Sequence, residues 1–403
     1  MIKANSLLYA IFICLIVSII CGALLYFATL FSQLNLHYNV HEELYLHNQS
    51  LVNFALGNQD TQEEMPADEH LGISGSYESK PYGLLTLLLA QSVMKGDTVR
   101  SAQFIGASAT AKNALYVSNF TKPLSFSGVV KIAGDCQLPS SVMLPVYIAN
   151  NPNQLVMNGK MAVSERAMPE INPMFDKVFD QKNTQIVLVS DLERVHDSLY
   201  FNSFFVSTKE IRTSKPLGGI HLKGNFLISS TDSLVVRKDA HLEDVILLAP
   251  KIIFEEGFAG SVQAFATEKI VVGNNVFLSY PSVLCLKNET EDESNINIGK
   301  HCRVIGAIVL FGNDEAQIDR NTVEIEEGGH IFGDIYCSGK LMLKSKLSGS
   351  VYTNRFFYRT AASAYENTIV DITINALERP AYFIGIPLFE SKKNTYGILK
   401  KVL

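Results

Sequence analysis

From Ser6 to Phe31 the chain runs for 26 residues without a charge. At about 1.5 Å of rise per residue, such a helix exceeds the roughly 30 Å hydrocarbon core of a bilayer. It is also longer than the roughly 7–15-residue apolar core of a cleaved secretory signal. A retained membrane-spanning helix is predicted. Ser32 to Leu56 contains neither Gly nor Pro. Within it Leu34, Val40, Leu44, Leu51 and Phe54 recur at mixed three-, four- and seven-residue spacings, which extends the helix as an amphipathic stalk. Gly57-Asn58 is a plausible stop. Residues 1–57 therefore form a transmembrane and stalk helix, and 58–70 an acidic linker.

Residues 71–215 read as a strand-rich mixed domain. Tyr82 to Lys95 has the look of a short helix. Phe104-Ile105, Ala114 to Val117, Val129 to Ile132, Val142 to Ile148 and Gln185 to Val189 are apolar or β-branched runs of strand length. Turn signals such as Gly134-Asp135 and Pro139-Ser140 separate them. Met161 to Lys182 reads as a surface excursion.

Residues 216–357 carry the strongest pattern. Leu234, Ile252 and Ile270 are each 18 residues apart, as are Val323 and Leu341. A small or apolar residue recurs every six: Val236, Leu242, Leu248, Phe254, Gly260, Ala266, Val272, Leu278 and Leu284. It resumes at Ile325, Ile331, Cys337 and Leu343, after the insertion Lys287 to Asn297. Three six-residue sides make one turn of a triangular β-solenoid, in which stacked coils line up an apolar column. The expected class is mainly β, with one long N-terminal helix and a solenoid of about 18 residues per coil. Residues 358–403 would form a C-terminal cap over the last coil.

Charge places the chain. Lys3 precedes the apolar run, and the next Lys or Arg is Lys80, with eight acidic residues between them. The positive-inside rule then puts the N-terminus in the cytoplasm and the rest across the inner membrane, in the periplasm. With 34 basic against 40 acidic residues and a net charge of −6, no excess exists to neutralise phosphates, so a nucleic-acid partner is not expected. Membrane lipid and other envelope proteins, met through the N-terminal helix, are the expected partners.

Candidate chemistry is sparse. The cysteines at 14, 21, 136, 285, 302 and 337 form no CxxC pair; those near strands read as small core residues. His37, His41 and His47, with Glu42 and Glu43, fall short of a convergent metal set and read as a polar stripe. Ser190 to Asp197 mixes acid, base and nucleophile types without a spacing that unites them. Glu289, Glu291, Asp292 and Glu293 read as a solvated loop. No nucleotide loop, HExxH or GxSxG occurs, so no cofactor, metal or catalytic residue is assigned. Leu34, Val40, Leu44, Leu51 and Phe54 are the candidate interaction residues. Thr98, Ser198 and Ser233 each follow Asp and precede an aliphatic residue, a pattern resembling the O-glycosylation site of Bacteroidota.

Two resemblances follow. Glu324 to Tyr352, with its Gly333-Asp334-Ile335 and Gly349-Ser350-Val351 steps, resembles the bactofilins, polymer-forming β-helix proteins. An apolar then amphipathic helix leading into a β domain resembles the spine of type IV pilins and type II secretion pseudopilins. Here no Glu stands near the start of the apolar run, where major pilins carry one. Both resemblances imply a non-catalytic structural or assembly component of a bacterial envelope complex. The alternative is an envelope carbohydrate-active enzyme or glycan-binding protein on a β-helix scaffold. An acidic and aromatic cluster along one solenoid side would favour it.

Overall fold

A computed structural model describes residues 4–58, 72–108, 113–148, 152–180, 185–188, 199–290, 292–312, 318–379, 384–390 and 395–402. The fold is mainly β, with one long apolar N-terminal helix. It divides into two compact units, Met1–Glu78 with Leu89–Ser101, and Ser79–Leu88 with Ala102–Leu403.

The first unit is built on the helix Ala4–Gly57, 54 residues without a break. From Leu7 onward it is long and apolar enough to cross a membrane, and its most apolar window is wholly unburied. The stalk end differs. Leu44, Leu51 and Ala55 are fully buried, and Leu44 packs with Ile73 and Met94, flanked by Val40 and Val99. Side-chain bonds fix this contact: the His47 ring lies 2.9 Å from the Ser92 hydroxyl, and the Ser101 hydroxyl donates to Asn48 Oδ1 at 2.5 Å. Tyr82 to Lys95, expected as a helix, is instead a turn at Gly83 followed by the strand Leu85–Met94. Gly83 adopts φ +60°, a turn conformation that glycine reaches without a Cβ clash. The buried positions of the strand then decide the local conformation over helix propensity.

The second unit contains three long ladders of parallel strands. In the first, Leu234 pairs with Ile252, Ile252 with Ile270, Ile270 with Ile296, Ile296 with Val323 and Val323 with Leu341. In the second, Leu222 pairs with Leu242, Gly260 on the next strand with Leu278, Leu278 with Val304, Val304 with Ile331 and Ile331 with Leu347. In the third, Leu247, Ala264, Leu284, Ile308, Ile335 and Val351 do so. Inward residues of all three ladders join one hydrophobic cluster. Strand order within the ladders departs from chain order. Val351 pairs with Leu115 and Leu115 with Cys136; Ile374 pairs with Ile132 and Ile132 with Met157; Ile369 pairs with Phe126.

Residues 113–163 thus do not belong to a separate 71–215 domain; they extend the ladders beyond residue 375. Nor do residues 358–403 cap the last layer. Thr368–Val370 and Thr373–Asn375 are ladder strands, and Tyr396–Lys401 runs antiparallel to Gln103 to Ala107. Within Met161 to Lys182, Met161–Val163 is likewise a ladder strand.

The six-residue register slips at several points, first at Asp244. Leu247 is fully buried, while Leu248 is only half-buried. A bulge between Glu243 and Val245 shifts the pairing, with Asp244 at φ +59°. Lys400 Nζ donates to Asp244 Oδ2 at 2.7 Å and the Ser261 hydroxyl to Oδ1 at 3.1 Å. The Tyr82 hydroxyl donates to the Asp244 carbonyl at 2.8 Å. One extra residue in the strand moves every later side chain to the other face.

Candidate functional site

The three ladders end together at one layer, made by the strands Leu144–Pro145, Gln154–Asn158 and Met161–Val163. They pair with Ser125–Ser127, Val129–Ala133 and Asp135–Leu138 respectively. Among the described residues no strand occupies their outer edges. Met161 stands in register with Cys136 and Val163 with Leu138. Cys136 and Leu138 are wholly buried, whereas Met161 is 43% and Val163 60% exposed. Leu155 and Met157, in register with the buried Val130 and Ile132, are only half-covered. The column of core side chains therefore opens onto this surface. Val142, Leu144 and Tyr147 add exposed apolar area beside it.

Charge is nearly absent there: from Ser141 to Ser164 the only charged side chain is Lys160. Unpaired strand edges template pairing with another chain, and folded proteins usually blunt them with charge, proline or a covering element. Here Pro145 and Lys160 supply little of that. Sequence reasoning read Val142 to Ile148 as an ordinary strand run and missed this surface. Nothing in an apolar alternation says whether a further layer follows it.

The helix residues part company. Leu34 is exposed, Val40 and Phe54 are half-buried, and Leu44 and Leu51 are sealed against the chain's own strands. The lower stripe is thus occupied within the first unit. Replacing Leu44 and Leu51 together by Glu is expected to free the stalk end. Two buried carboxylates without partners cost several kcal/mol. The readout is limited proteolysis of detergent-solubilised protein, with new cleavage between residues 38 and 57 and an intact second unit.

Thr98 is exposed in the strand Asp97–Ser108, and Ser233 is half-buried at the start of Ser233–Val236. Ser198 and the Ser190 to Asp197 segment lie outside the described residues. His37 sits 3.7 Å from Asp97 and 6.4 Å, ring to ring, from His41. Among the described residues no group of three His, Cys, Asp or Glu side chains could hold a metal ion. The thiols of Cys136, Cys285, Cys302 and Cys337 are free and buried. Burial pushes Cys136 and Cys337 up to about 12 and raises the other two. All four stay protonated at neutral pH, the inert form of a thiol. Glu289 pairs with Lys287 at 2.8 Å.

Burial raises the Asp244 carboxyl, while carboxylates near the first ladder's outward face are lowered. Hydrogen bonding to Lys340 lowers Asp319, and hydrogen bonding to Lys122 lowers Glu366.

No protein-family model, curated protein or solved structure matches the chain.

Proposed function

We propose that this chain is a non-catalytic assembly subunit of a bacterial envelope. It is anchored by one inner-membrane helix with its N-terminus in the cytoplasm. On this reading the three ladders are the sides of a triangular β-solenoid, resembling bactofilins, on the periplasmic side. The solenoid docks a second copy through its open end. The observation that carries the proposal is the terminal layer itself. Its core positions Met161 and Val163 are exposed, no strand among the described residues pairs with its outer edges, and one charge occurs in 24 residues.

A second copy is the favoured occupant for two reasons. The end presents the same cross-section as each inner layer, so another layer of this spacing completes it. With Lys160 as its single charge, two such ends meet with little repulsion. A two-fold contact makes the surface self-complementary, as in most soluble homodimers. Joining the ends would cover the exposed apolar column, at about 25 cal/mol per Å² removed from water.

Sedimentation of the full-length protein in detergent tests the proposal. Wild type is expected to sediment as a dimer. Met161→Lys with Val163→Lys is expected to sediment as a monomer with unchanged circular dichroism. A monomeric wild type at micromolar concentration, or a double variant that still dimerises, would contradict it.

A further inference from the structure

The outward face of the first ladder carries a second feature, independent of the open end. A groove of about 450 Å³ lies over the strands Ser294–Ile298 and Asn321–Ile325 and against the hairpin of Val351–Arg359 and Ala364–Glu366. Its floor is a grid. Asn295 and Asn297 point outward from one strand, with Thr322 and Glu324 beside them in register on the next. Neighbouring strands stand about 4.8 Å apart, so these four groups present a flat, close-spaced array of donors and acceptors. The hairpin wall adds rings: Phe357 is half-buried and Tyr365 is 37% exposed.

Charge over this surface is balanced. The lining holds four carboxylates and three cations. Two of the carboxylates are already paired: Asp319 with Lys340 at 3.0 Å, and Glu366 with Arg355, which lies outside the lining, at 3.0 Å. A polyanion therefore finds no field to steer it. An apolar ligand is equally ill-suited, because the pocket lacks the mostly hydrophobic lining such ligands need. A peptide strand would need free backbone groups to pair with. The floor is a sheet face, whose N–H and C=O groups already bond along the ladder.

What remains is a ligand dense in hydroxyls, each donating and accepting, with an apolar face for a ring to cover. We propose that this groove binds a neutral saccharide chain. Asn295, Asn297, Thr322 and Glu324 take its hydroxyls, and Tyr365 stacks on a sugar ring. Stacking on an aromatic ring adds to the area it buries, and it leaves the ligand chemically unchanged.

Affinity electrophoresis of the full-length protein provides the test, in a detergent without a sugar headgroup. Gels contain dextran, mannan or a soluble β-glucan, with heparin and a Gly-Ser peptide polymer as comparison probes. At least one neutral polysaccharide is expected to retard the wild type. Tyr365→Ala and Asn297→Ala should each weaken that binding tenfold or more at unchanged melting temperature. Tyr365→Phe, which keeps the ring, should retain it. Met161→Lys with Val163→Lys should also retain it, since the end surface is separate. The proposal is overturned by no retardation in any neutral gel, by equal retardation of Tyr365→Ala and Asn297→Ala, or by retardation with heparin or the peptide polymer alone.

Discussion

Val272→Asp should remove about 4 kcal/mol or more of the second unit's stability. Val272 lies in the strand Lys269–Val272, between Phe254 and Ile298 in register, and all three are buried. A carboxylate there has no cation and no donor to meet it, and an unpaired buried charge is among the costliest substitutions. The residue next door is the control. Val271 points outward and is half-buried, so Val271→Asp loses only part of a side chain's burial, about 1 kcal/mol. Lys238→Gln, exposed between layers, should stay within about 0.5 kcal/mol. Urea denaturation followed by circular dichroism separates the three. Equal losses at 271 and 272 would refute the inward and outward register.

Gly333→Ala is the second large effect, and it acts through the backbone. Gly333 pairs with Gly306 along the third ladder, and both adopt left-handed φ, +145° and +151°. A Cβ at Gly333 would fall on the Gly306 carbonyl oxygen, one at Gly306 on that of Ser282, and one at Gly349 on that of Gly333. The three glycines form a stack in which each backbone closes over the last. Adding a methyl brings conformational strain together with a backbone clash that no rotamer relieves. The expected cost is about 3 kcal/mol or more, against about 1 kcal/mol or less for Gly257→Ala, where φ is also positive but no atom lies within 4 Å. Comparable stability of the Gly333 and Gly257 variants would contradict this account of the Gly-Asp-Ile step.

Much of this architecture was legible in the residues. The uncharged run to Phe31 and the Gly57 stop delimit the helix within a few residues. The 18-residue spacing of Leu234, Ile252 and Ile270 is the pairing of the first ladder itself. Where the layers lengthen, as from Ile270 to Ile296, spacing alone no longer shows which residues pair. The bulge at Asp244 was illegible for a related reason: the side chain that meets it, Lys400, is more than 150 residues away. The same holds for residues 113–163. Their partners at 351–375 lie over 200 residues on, and Leu115 to Cys136 and Ile132 to Met157 keep no common period. The open end is invisible for a different reason. Met161 and Val163 have the apolar character of buried core residues, and only their place in the last layer exposes them. The groove was illegible because its residues come from separate stretches that only the ladders bring together.

Hydrogen exchange in native membranes addresses the end-to-end contact most directly. In a lone parallel edge strand every second N–H faces solvent, so half the amides of Gln154–Asn158 and Met161–Val163 should exchange freely in a monomer. If the open end docks a second copy, peptides covering 152–163 are protected in the wild type and lose that protection in Met161→Lys with Val163→Lys, while peptides covering 251–254 stay protected in both. Fast exchange of 152–163 in wild-type membranes, equal to that of the double variant, would contradict the assembly role.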